Sequence, residues 1–529
     1  MKIFKRIVFW LLLLMSLAAC VCWIFTFPYR PERLYSLIPE EATLVTDHEA
    51  LAGRWSEVAR CPTLRALLIA AGGANAQAGS AVSLDTPAVR RLVSRFCPRR
   101  TLFAVIPPGP SGASGWMLAT WAGRQAQYLR LGLMDRQLSG VTCVRLGGDK
   151  LWQWQGCGLP EGQTVSVAVY EGVIIACLSH DPMAAARLRV RAARAALPAP
   201  WLVAPPEGWG ASFDAARDRA WVRTDSGTPP WRVVLDAVNA EGCRGSIAVP
   251  KPMPPGRALT TDGLTSAAGL PIPPGTVALG AMSAGDAAAW VSRSPLPPAV
   301  KEAVRGVTKR HVRVDAPVFA WVASGDWSGR VMSLRVPSIF LAVPVTDAAA
   351  AIADATNVID RLNAGLRTSY LPRDMEVEGQ AVTVFASARQ DPGDVVPPLE
   401  KLGMAPFGAW VVFCSNAQTL GRALSAVGEE PPHPAVAALA AAPPGTGAAV
   451  WVDTSPAADA ARNLKAVYEL WVMLSNPPKP PFSRAELAHV EPWLSRLAPL
   501  GEVSLDLVRS DDSTTLAFDI RGRRAADRP

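Results

Sequence analysis

Apolar residues recur at two spacings and in one unbroken run, and each predicts a different element. VSVAVYEGVIIACLSHDPMAAARL (165–188) alternates apolar and small or polar positions about Glu171-Gly172. The alternation predicts two antiparallel strands with one buried face, and the alanine-rich tail predicts a helix. FGAWVVFCSNAQTLGRAL (407–424) repeats the strand, the serine and the helix, with Ser415 matching Ser179. Period-2 hairpins are also predicted from Ala220, Ala320 and Leu505.

Three segments share an opening plan: IPEEATLVTDHEALAGRW (38–55), IPPGTVALGAMSAGDAAAW (272–290) and APPGTGAAVWVDTSPAADAARNL (442–464). In each, Pro and Gly set a turn, the next apolar residues supply a strand, and Asp, Ser or Thr offers an N-cap to a helix. Thr43 to Ser179 spans 136 residues and Thr276 to Ser415 spans 139, so two independent anchors repeat at nearly one offset. Pro-rich stretches near 197–210, 249–275, 428–447 and 475–483 punctuate the chain. The expected organisation is a stub, anchor and linker over 1–36, a first α+β module over 37–250, a second over 268–428 and a truncated third repeat over 434–525. The expected fold class is therefore α+β, an N-terminal transmembrane helix followed by duplicated modules of antiparallel sheet with packed helices.

The unbroken run is Ile7–Phe27, behind Lys2, Lys5 and Arg6. Its length, about 31 Å as a helix, matches a hydrocarbon layer of roughly 30 Å and predicts an uncleaved span. Leu17-Ala18-Ala19-Cys20 keeps a second reading open, lipidation at Cys20, and simple secretion is a third. All three place the bulk of the chain outside the cytoplasm, and the first makes it a single-pass inner-membrane protein with a periplasmic body. The layout resembles uncharacterised bacterial envelope proteins that carry one membrane helix and repeated strand-and-helix units opening on a Pro-x-x-Thr strand. That resemblance implies architecture and no activity.

Composition changes little. The net charge is +8, but the arginines are scattered rather than clustered on one face, which argues against nucleic acid as a partner. Nine cysteines without regular spacing are no disulfide framework. A turn at 147–150 sets Cys143 opposite Trp154, so Cys143 and Cys157 do not face each other.

Candidate chemistry is sparse. Gly275, Gly280 and Gly285 are five apart with the strand among them, which is neither a P-loop nor a dinucleotide fingerprint. His48-Glu49 would need a histidine at position 52, where Ala52 stands. His48 and His180 follow corresponding strands as loop residues that would have to meet in space to form a site. GPSGASG (109–115) lacks the nucleophile elbow. The pattern yields no catalytic, cofactor or metal residue. Two binding features remain: Arg187, Arg191 and Arg194 along one helix face, suited to an anionic polymer or lipid, and Trp152 and Trp154 on one side of a strand, a platform if exposed. The expected function is a membrane-anchored, non-enzymatic scaffold or interaction protein of the envelope with an envelope-protein partner and no cofactor. The alternatives are lipid or glycan binding and, third, an exported hydrolase.

Overall fold

A computed structural model describes Trp10 and residues 13–17, 28–30, 32–39, 41–61, 87–107, 115–131, 142–146, 149–155, 162–194, 213, 216–223, 231–239, 241–248, 257–293, 298–331, 334–366, 370–387, 402–428, 431–475, 490, 494, 498–509 and 514–522. The chain divides into two units, Met1–Pro250 and Lys251–Pro529. Among the described residues, twenty strands belong to antiparallel sheet and two more form a small separate ribbon.

The first unit holds β1 (Leu44–Glu49), β2 (Arg100–Ile106), β3 (Gly115–Trp121), β4 (Thr142–Leu146), β5 (Asp149–Gln155), β6 (Thr164–Tyr170), β7 (Val173–Ser179), β8 (Asp218–Val222), β9 (Trp231–Val238) and β10 (Gly242–Ala248). Their pairing gives the order β4-β5-β6-β7-β3-β2-β1-β8-β9-β10, antiparallel throughout. One sheet face carries the main core, with Val45, Leu102, Met117, Ile175 and Trp221 packed against the segment Leu34–Ile38 and the helix Ala184–Ala193. The opposite face carries a smaller core at β5–β7, closed by the helix Arg124–Arg130.

The second unit holds β11 (Thr276–Ser283), β12 (Pro317–Ala323), β13 (Gly329–Val331), β14 (Leu334–Val336), β15 (Ser338–Pro344), β16 (Tyr370–Val377), β17 (Gln380–Ser387), β18 (Leu402–Phe407), β19 (Trp410–Cys414), β20 (Thr446–Asp453), β21 (Glu502–Arg509) and β22 (Thr514–Arg521). Setting aside the β13–β14 ribbon, the order is β16-β17-β18-β19-β15-β12-β11-β20-β21-β22. This is the first unit's order strand for strand, with β11 in the place of β1 and β20 in the place of β8. The segment 434–525, read from sequence as a further repeat, thus supplies the last three strands of the second sheet.

Alternation decides which face each residue joins. In β15 the residues Phe340 and Ala342 are buried and Ile339 and Leu341 exposed. Phe340 stacks on Trp321 with centroids 5.0 Å apart, at the centre of a core closed by the helices Ala417–Ser425 and Pro434–Ala440. The Pro-Pro-Gly-Thr segments work as turns: Thr276 N–H bonds Pro273 O at 3.0 Å and Thr446 N–H bonds Pro443 O at 3.2 Å. Gly275 permits a close approach, since a Cβ there would lie 2.6 Å from Ser324 O and 2.8 Å from the Trp327 ring.

Several expectations are corrected. The fold is dominated by antiparallel sheet and not by an α+β body behind a transmembrane helix. Among the described residues no helix is long and apolar enough to cross a membrane. Of the run 7–27, only Trp10 and Leu13–Leu17 are described, as helix. The single-pass inner-membrane location built on that span is corrected by this finding; Cys20 lies outside the described residues. The hairpin expected from Ala320 does not form as drawn, because β12 pairs with β11 and β15 while 329–336 folds into its own ribbon. In the β4–β5 hairpin Cys143 faces Trp152 rather than Trp154, a register two residues tighter.

Candidate functional site

The residues singled out in the sequence do not gather. Trp152 is 2% exposed and, with Trp154, packs in the small core beneath the helix Arg124–Arg130, so the pair is no platform. Arg187 and Arg194 are exposed and Arg191 half-buried on the helix Ala184–Ala193 and its cap, and Arg187 pairs with Asp181 at 3.2 Å. His180 bonds Gly162 O at 3.0 Å, while His48 lies within β1, three strands away from β7, so the two do not meet. Beside Gly275, a recess of about 260 Å³ is lined by Pro273, Pro274, Trp327 and His433. Burial holds the His433 imidazole below its ordinary value, and its Nδ1 accepts the Ala435 N–H, so this recess offers a phosphate no charge.

The titratable groups that do assemble were not paired by sequence reasoning. β1 and β8 oppose Asp47 to Arg219 and His48 to Asp218. Because neighbours on a strand point to opposite faces, the two pairs form separate clusters. On the main-core face Arg219 donates to Asp47 Oδ2 at 2.8 Å and to the Tyr35 hydroxyl at 2.5 Å; Tyr35 donates to the same oxygen, and Arg100 lies 3.3 Å from the other. The Arg219 guanidinium also lies 5.4 Å from the Phe213 and Trp221 rings. Burial would lower the Arg219 pKa, but Tyr35 and Asp47 outweigh it and raise it; burial and Asp47 raise that of Tyr35. Asp47 is 1% exposed, and every charge in the cluster is spent on another, which is the condition for burying ions at tolerable cost.

On the opposite face His48 Nδ1 lies 2.9 Å from Asp218 Oδ1, and His48 Nε2 lies 3.0 Å from the Thr46 hydroxyl. Hydroxyl, imidazole and carboxylate are the members of a nucleophilic triad, but two features disarm this one. Arg54 grips Asp218 with both terminal nitrogens at 2.6 Å, so the carboxylate is already neutralised. Burial alone would push Asp218 up, yet the bonds from His48 and Arg54 hold it below the ordinary carboxylate value. In addition, β1 is paired along both edges, so its N–H groups serve the ladders and form no oxyanion hole.

The second sheet differs where the first is charged. Matching strand order and the opposed core pairs Val45–Trp221 and Leu279–Trp451 sets Asp47 and Arg219 against Ala281 and Ala449, and His48 and Asp218 against Met282 and Ala448. The open face of the second sheet carries a straight row of directly opposed residues: Phe413, Leu341, Ala320, Gly280, Val450, Leu505 and Phe518. The helix Ala348–Leu366 covers this face at β18 and β19, packing on Met404 and Val411. Beyond it Ile339 is 48% exposed and Leu341 and Val450 38% each. Large aliphatic side chains held open together on a sheet mark a contact surface. No family model, curated protein or solved structure matches the chain.

Proposed function

We propose that this is a non-enzymatic interaction protein whose contact surface is the open apolar face of the second unit. The row from Leu341 to Val450 carries the reading: Leu341, Ala320 and Val450 are exposed and Gly280 between them is half-buried, in a sheet whose other face carries the core. The ionic clusters of the first unit act in folding, since their opposite charges pair with one another across β1 and β8. The face recognises apolar groups and not glycans, because its backbone is committed to ladders and its exposed side chains offer no hydrogen bond.

Leu341→Asp tests this. The side chain is exposed, so the substitution leaves the fold and its far-ultraviolet circular dichroism intact, and it places a charge in the row. Fluorescence of anilinonaphthalene sulfonate with the variant is expected to fall by at least about half relative to the parent chain. Equal dye fluorescence from a natively folded variant would overturn the reading.

A further inference from the structure

The helix Pro298–His311 carries its charges in two rows. Lys301, Arg305 and Lys309 stand at i, i+4 and i+8, along one side over about 12 Å, and Glu302, Gly306 and Arg310 form the next row round. The second row is balanced: Arg310 pairs with Asp354 of the helix Ala348–Leu366 at 3.0 Å, and His311 bonds the same carboxylate at 2.8 Å. The first row is not. Lys301, Arg305 and Lys309 have no ion-pair partner among the described residues.

Helix stability does not account for the row. Lys309, in the last turn, suits the negative end of the helix dipole, but Lys301 is the fourth residue, toward the positive end, where a cation is unfavourable. Each neighbouring pair also sets like charges one turn apart, which opposes helix formation. The helix Pro87–Phe96 of the first unit opens on the same Pro-Ala-Val and keeps a cation at Arg90, yet it has Ser94 where the second has Arg305 and ends before a counterpart of Lys309.

The row borders a recess of about 210 Å³ between its own helix and the helix Ala284–Arg293, which contributes Ala288, Ala289 and Val291 to the lining. Among the described residues no carboxylate lines it. Arg305 and Lys309 also border a wider recess, of about 440 Å³, on the side of Asp354, whose carboxylate Arg310 and His311 already hold. No residue of the open apolar row lines the smaller recess, so the two surfaces are separable by mutation.

We infer that the smaller recess binds a soluble anion of two or more linked phosphate groups. It is below the roughly 300–1,000 Å³ of sites for drug-sized molecules, which suits a small anion. The planar fork of Arg305 matches phosphate oxygens in pairs, and linked phosphates set an anionic oxygen beside each cation along the row.

Isothermal calorimetry of the full chain tests this, with inorganic tripolyphosphate as the probe. Arg305 is exposed and unpaired, so Arg305→Gln keeps the fold, and losing a like charge from the row leaves its melting temperature equal to or above the parent's. The expected results are saturable binding to the parent that weakens as salt rises from about 0.05 to 0.2 M, binding at least about fivefold weaker in Arg305→Gln, and a melting temperature that tripolyphosphate raises more in the parent than in the variant. Arg335→Gln removes an exposed cation elsewhere in the second unit and should bind like the parent. No saturable binding, or equal losses in Arg305→Gln and Arg335→Gln, overturns the site. Inorganic phosphate binding as tightly as tripolyphosphate overturns linked phosphates as the ligand. Binding to phosphatidate vesicles that Arg305→Gln weakens, with none of tripolyphosphate, overturns the soluble anion in favour of a lipid headgroup.

Discussion

Removing Arg219 while keeping Asp47 isolates the worth of the buried cluster in the first unit. In Arg219→Ala the Asp47 carboxylate, 1% exposed, loses its 2.8 Å donor and keeps only the Tyr35 hydroxyl and the longer contact to Arg100. The guanidinium's bond to Phe213 O at 3.3 Å and its contacts with two aromatic rings go as well. Leaving one partner of a buried pair uncompensated costs about 3–5 kcal/mol, a third or more of the stability of a typical domain. With a urea dependence of about 3 kcal/mol/M, the midpoint should fall by at least about 1 M. Asp47→Ala combined with Arg219→Ala removes the stranded charge and creates the alanine pair that Ala281 and Ala449 form in the second sheet. The double variant should therefore be more stable than Arg219→Ala by about 1–3 kcal/mol, even though it lacks more contacts. The assay is equilibrium urea unfolding of the full chain, followed by tryptophan fluorescence. An Arg219→Ala cost below about 1 kcal/mol, or a double variant no more stable than the single one, would refute the argument that charge compensation and not packing dominates here.

Two other outcomes follow from particular contacts. Burial and the neighbouring Asp519 push the Asp506 carboxyl up to about 6, above its ordinary 3.8, so the folded state holds a proton that the unfolded state has released. The stabilisation this gives is complete below about pH 4 and lost as pH rises through about 6. Asp506→Asn should thus stabilise the chain by ~1 kcal/mol near pH 8, after allowance for solvent screening, and leave it unchanged near pH 3; thermal melts at the two pH values check it. Gly275→Ala should lower stability by about 1–3 kcal/mol, because its Cβ would collide with Ser324 O and the Trp327 ring; urea unfolding reads the loss.

Local signals in the sequence were sound wherever the physics is local. Alternation in 165–179 and 407–414 marks β6, β7 and β19, since burying one face needs an apolar residue at every second position. Of the Asp, Ser or Thr caps expected after each opening strand, Ser283 accepts the Asp286 N–H at 3.1 Å. Errors arose where a long apolar stretch was equated with a membrane span and where a turn length set the Cys143 register. A polar turn specifies neither its own length nor which distant strand lies alongside, as β12 shows by pairing with β15 across the ribbon.

The two sites that matter lie wholly on that second side. His48 was visible as a histidine but was placed in the loop after its strand, whereas it lies within β1; its partner Asp218 is 170 residues away and Asp47 is 172 from Arg219. The open apolar face draws on β15, β12, β11 and β20, and no spacing rule connects Gly280 with Ala320, Leu341 and Val450. The amino-acid sequence alone determined that the chain would build repeated, half-buried antiparallel strands opened by Pro-Gly turns, because strand period and turn chemistry act between near neighbours. Only the tertiary structure decided which strands adjoin, and so which cross-strand positions met as buried ion pairs and which were left as an open apolar face; pairing register is set by packing among distant segments.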